Sequence, residues 1–154
     1  MESNWAVTAA KKAIDQDRSR QLNLEQNDRD AKVKDHEGPA LFRQLEQWIK
    51  GQADEFNQIR GKQEITVTTT ARPSPTINQL DNLIRVTLPN RGPLTITYSV
   101  GVHSIGWECG AGKGELRLVI AEDGTAHFET PYHQPKTVEE MGVEMLDKLQ
   151  ESAF

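Results

Sequence analysis

From Leu94 to Val102 every second residue is apolar: Leu94, Ile96, Tyr98, Val100 and Val102 alternate with Thr95, Thr97, Ser99 and Gly101. Successive side chains of a strand point to opposite faces, so this spacing predicts a strand with one greasy and one wet side. The same alternation recurs at Ile65 and Val67, at Ile84, Val86 and Leu88, at Leu116, Leu118 and Ile120, and at Ala126 and Phe128. Turn chemistry separates these runs. Arg72-Pro73-Ser74-Pro75 cannot sit in the middle of a central strand, and Asn90-Arg91-Gly92-Pro93 and Glu122-Asp123-Gly124 read as turns. The simplest arrangement is a five-stranded antiparallel meander.

A half-greasy sheet needs a cover, and the rest of the chain offers one. Residues 1–63 carry 22 of the 41 charged residues and contain no period-2 run. Helices first and a sheet second is the α+β pattern, with one face of the sheet covered by amphipathic helices. Phe42, Leu45, Ile49, Phe56 and Ile59 predict a helix over 40–60, ending at Gly61. Leu41 and Trp48 widen its stripe and Gln52 interrupts it. Gly38-Pro39 is read as a break, with Pro39 the first residue of that helix. At the other end, Thr137 and Glu140 form a capping box for a helix over 137–151 carrying Val138, Met141, Met145 and Leu149. The expected core is Phe42, Leu45, Ile49, Phe56, Val86, Ile96, Tyr98, Val100, Leu118, Ile120, Phe128, Met141 and Met145.

The expected organisation is therefore a charged N-terminal extension, 1–37, and a single α+β domain, 38–154. Ser3 or Asn4 can cap a first helix bearing Trp5, Ala9, Ala13 and Ile14. In Asp15–Glu37, 12 of 23 residues are charged, and only Leu22, Leu24, Ala31 and Val33 are apolar. That suits a solvated helix held by pairs such as Asp28–Lys32 and Asp30–Lys34, or an unordered segment.

Composition excludes several classes of function. A net charge of −5 argues against non-specific nucleic-acid binding, which needs a basic surface. No run approaches the length of a membrane-spanning helix. The start MESNWAVTAAKKAID has no long apolar stretch, so no secretory signal is expected. The single Cys109 fits a reducing, cytoplasmic setting.

Candidate chemistry is sparse. Gly106-Trp107-Glu108-Cys109-Gly110-Ala111-Gly112-Lys113-Gly114 has five residues between Gly106 and Gly112, and Gly114 stands where a phosphate loop needs Ser or Thr. It reads as a flexible hairpin loop. His103, Glu108, Cys109, His127, Glu129 and His133 are of metal-ligating or catalytic type, but none has the spacing of a known site. His127 and Glu129, two apart, should share the wet face opposite Phe128. No cofactor is expected.

The reading that follows is a non-catalytic protein-binding or self-associating module, with another protein or a second copy as partner. Its expected contacts are Trp5, Ile14, Leu22, Leu24 and Trp48. The alternative is a small-molecule or metal-dependent enzyme with a site on the polar sheet face around His103, Cys109, His127 and Glu129. In a third arrangement the sheet forms a cup lined by Tyr98, Trp107 and Tyr132.

Overall fold

A computed structural model describes residues 4–152. Packing divides the chain after Val33 into two units. Both contain part of helix α1 (Trp5–Arg60). Up to Val33 the helix is solvated nearly all round. Its carboxylates and bases pair along the surface, as in Lys32–Asp28 at 3.1 Å. Asp30, expected to pair with Lys34, instead accepts from the Gln26 amide at 2.8 Å. The Asn4 carbonyl accepts the Thr8 N–H and so stands at the cap position, whereas Ser3 lies outside the described residues.

In the unit from Lys34 onward, α1 is followed by β1 (Thr66–Pro73), β2 (Leu80–Thr87), β3 (Leu94–Ser99), β4 (Ser104–Cys109), β5 (Gly112–Ile120), β6 (Ala126–Glu129), β7 (Pro135–Lys136) and α2 (Val138–Glu151). The class is α+β, and the sheet is an antiparallel meander with each strand beside its sequence neighbours. It has seven strands rather than five. The two additions are informative. The strand itself ends at Ser99; Val100 is still buried as the alternation requires, but Val102 turns out to solvent, and the chain reverses through His103 at φ 51° into β4. The Gly106–Gly114 stretch is then two strand ends joined by a turn at Gly110-Ala111, not a flexible loop, with Trp107 paired to Gly114 and Cys109 to Gly112. One of its glycines serves close approach. A Cβ on Gly114 would collide with the indole of Trp107. The other addition, β7, is only two residues long.

Inside and outside separate as the alternation requires. On β3, Leu94, Ile96 and Tyr98 are buried, whereas Thr95, Thr97 and Ser99 are half-exposed. Phe42, Leu45 and Ile49 from α1 and Met141, Met145 and Leu149 from α2 join them in one core. Phe56 and Ile120, expected in the core, are only partly buried. The α1 stripe also departs from its expected course. Steps of four carry it from Ile49 to Ala53 and Asn57, both buried, and Ile59 is left 79% exposed. The residue at the wheel position after Ile49 is thus Ala53 rather than Gln52. The capping box at Thr137 and Glu140 forms as the spacing predicts. Gly61, at φ 73°, ends α1.

Gly38-Pro39 does not break the chain; α1 runs through it. Pro39 removes one intrahelical donor. Gly38 shows why the helix continues here. It is buried against Tyr98, and a Cβ would overlap the phenolic oxygen. The glycine is a contact surface that brings the helix onto β3, where Phe42 lies with its ring centroid 5.7 Å from that of Tyr98. Gly38→Ala should therefore destabilise the protein by about 1–3 kcal/mol, the usual cost of overpacking. In urea unfolding, Tyr98→Phe should recover part of that loss in the double variant.

Candidate functional site

Tyr98 stands centrally on the inner face, fully buried, with Phe128 edge-on to its ring. Its hydroxyl lies 3.3 Å from His103 Nδ1, and His103 Nε2 lies 3.3 Å from Asp35 Oδ1. In the neutral imidazole, the tautomer that suits a carboxylate acceptor carries its proton on Nε2 and leaves Nδ1 to accept from the phenol. The order tyrosine, histidine, aspartate resembles a proton relay, but the phenol is sealed from solvent and no substrate can reach it. The group is a structural tie between α1 and the β3–β4 turn. It also fills the space in which Tyr98 would have lined a cup; Tyr132 is 87% exposed on a turn.

The wet face carries the second set. His127 Nε2 and Glu129 Oε1 are 2.8 Å apart, on one face as their spacing requires. His133 Nδ1 lies 3.7 Å from the other Glu129 oxygen, so two imidazoles flank one carboxylate. Ser104, Arg117 and Glu129 form one row across β4, β5 and β6. Cys109 is five residues along β4 from that row, about 17 Å at the rise of a strand. It is half-buried and packs against the core. The structure thus brings His127, Glu129 and His133 together, places His103 on the inner side, and puts Cys109 at the far end of its strand. Among the described residues no group of three or more His, Cys, Asp or Glu could hold a metal ion. The remaining polar feature is a broad open hollow of about 1060 Å³ on the same face. Its lining includes Arg72, Thr95, Thr97, Glu108, Lys113 and Glu115, of mixed charge.

The residues expected to contact a partner are dispersed too. Ile14, Leu22 and Leu24 are more than half exposed, as is Trp5. At about 100° per residue, however, Trp5, Ile14, Leu22 and Leu24 fall on different sides of the helix, so they form no common stripe. Trp48 is half-buried, and its ring fills the space beside Gly142 on α2.

The most open feature lies on backbone, where side-chain motifs give no signal. The Ser74 N–H donates to the Gln79 carbonyl at 2.9 Å, in register with the β1–β2 pairing. Bonded and non-bonded pairs alternate in an antiparallel ladder. The even-numbered residues of β1 therefore bond to β2, and the odd-numbered ones direct N–H and C=O outward. At one end Ile65 is satisfied by the buried Asn57 amide, which accepts its N–H at 2.8 Å and donates to its carbonyl at 3.0 Å. At the other end Pro73 has no N–H. Between them Val67, Thr69 and Ala71 have no described hydrogen bond at the outer edge. Asn57 was not legible as an edge cap, because a polar residue on a helix stripe reads only as an interruption. The opposite edge is blunt: β7 is two residues, one of them Pro135.

Comparison of the chain with protein-family models, curated proteins and solved structures finds no significant match.

Burial, and secondarily the Asp35 carboxylate, pushes the Tyr98 hydroxyl from its ordinary 10.0 up to about 12. A phenol whose folded value is raised contributes stability that is complete below pH 10 and lost as pH climbs toward 12. Chemical unfolding across about pH 9–12 should show that decline, and Tyr98→Phe should remove this component of it.

Proposed function

We propose that this chain is a non-catalytic protein-association module that takes up an extended segment by strand addition to β1. One observation carries the reading: three alternate residues, Val67, Thr69 and Ala71, direct unpaired backbone groups from an edge strand with a cap at each end. Natural edge strands are usually blunted by charge, proline or brevity. Thr66–Ala71 has no charge and consists of strand-favouring residues apart from Ala71. Its side chains are largely exposed. An added strand gains main-chain hydrogen bonds there, and its alternate side chains meet the sheet's two faces. The dispersal of His103, Cys109 and Glu129 supports the non-catalytic half of the reading.

The test uses a labelled extended peptide of alternating Val and Thr with lysine at each end. Saturable binding by fluorescence anisotropy is expected, with slowed amide exchange at Val67, Thr69 and Ala71. Thr69→Pro should abolish it, because it removes an outward donor without touching the β1–β2 ladder. A wild-type protein that leaves those three amides unprotected at saturating peptide would refute strand addition.

A further inference from the structure

We infer that the strand added to β1 is β1 of a second copy of this chain, paired antiparallel about a two-fold axis at Thr69. This rests on the strand-addition reading and names its partner.

The pleat restricts the register. A two-fold axis perpendicular to the sheet keeps inner residues inner, so only residues of like parity can pair. Val67, Thr69 and Ala71 share the inner face with Val86 and Ile84, as the pairings Val67–Val86 and Thr69–Ile84 show. Centring on Thr69 places it opposite its own copy and Val67 opposite the second copy's Ala71. All three outward residues on each chain then exchange both bonds, six in total, with none left over. A centre at Thr68 would set Ala71 against Ile65, and one at Val67 would set Thr69 against Ile65, whose edge groups Asn57 already occupies. A centre at Thr70 would set Val67 against Pro73, and one at Ala71 would set Thr69 against it, and Pro73 has no N–H. The end caps that define the open edge thus also select the axis.

On the wet face the same register sets Thr68 opposite Thr70, a cross-strand threonine pair of the favourable kind. Above the inner face the charges agree. Arg43 and Glu46 of α1 line one hollow with Thr69, Thr70 and Ala71. Among the described residues Arg43 has no ion pair, whereas Glu46 reaches only the exposed Lys50 at 3.0 Å. The axis therefore brings an Arg43 and a Glu46 from each copy to the same seam, where opposite charges can meet. Two seven-stranded sheets become one continuous sheet.

The test uses the 154-residue chain with Cys109→Ala. Light scattering over a concentration series should show a dimer that dissociates on dilution, and Thr69→Pro should leave a folded monomer by circular dichroism. Thr69→Cys should form a disulfide-linked dimer under mild oxidation, because bonded antiparallel pairs lie about 5.5 Å apart at Cα, within disulfide reach. Thr68→Cys, which faces Thr70 rather than itself, should cross-link at least tenfold more slowly. Equal cross-linking of both cysteines, or a dimer indifferent to Thr69→Pro, would overturn the inference. A monomer at every concentration that still protects Val67, Thr69 and Ala71 when the Val/Thr peptide is added overturns self-pairing alone. A monomer that does not protect them overturns strand addition as well.

Discussion

Contact between Gly38 and Tyr98 sets how the second unit is built. The sheet alternates, so one of its faces must be kept from water, and the part of α1 from Lys34 to Arg60 can cover it only by coming close. Tyr98 is the largest fully buried side chain at that face, and its phenol stands directly beneath the helix backbone. A glycine there lets the two meet, and the helix then lays Phe42, Leu45 and Ile49 along the inner residues of β2 and β3. The proline that follows costs a hydrogen bond but leaves this contact intact. The polar end of the phenol is satisfied by His103, whose own position depends on the reversal after Ser99.

This explains which parts of the architecture could be read from residues and which could not. Alternation at Leu94–Tyr98 and at Ile84–Val86 marks an inner face wherever apolar side chains are there to mark it. In β4 and the first residues of β5 three of the pairs include a glycine, Gly106, Gly114 or Gly112, which has no side chain to mark a face, and this part of the hairpin looks like a loop. Trp107 opposite Gly114 is the signal in hindsight, since a large ring beside a missing side chain is how a sheet stays level. Gly38-Pro39 misleads for a related reason. Composition describes the local cost of helix but not the neighbour that makes that cost worth bearing.

The candidate chemistry divides along the same lines. Spacing of two placed His127 and Glu129 on one face, because that depends only on the pleat. Whether His103 or Cys109 would join them depended on strand ends and a turn that periodicity does not reveal. The edge of β1 was beyond any motif search, for its chemistry is that of amides common to every residue. What distinguishes it is a pattern of satisfaction: Asn57 closes one end, Pro73 closes the other, and the middle stays open.

The strictly sequential strand order has a kinetic side. Every sheet pairing is between neighbours, so each hairpin closes a short loop, and topologies rich in local closures cross their folding barrier quickly. The long-range demands are those of the covers. Phe42 meets Tyr98 from far upstream in the chain, and Met141, Met145 and Leu149 reach the core from beyond the last strand. During synthesis the meander can zip while its greasy side still lacks α2. The nascent chain therefore passes through a stage at which an oily, half-roofed sheet waits for its second helix to emerge, and it is in that interval that the protein is most exposed to aggregation.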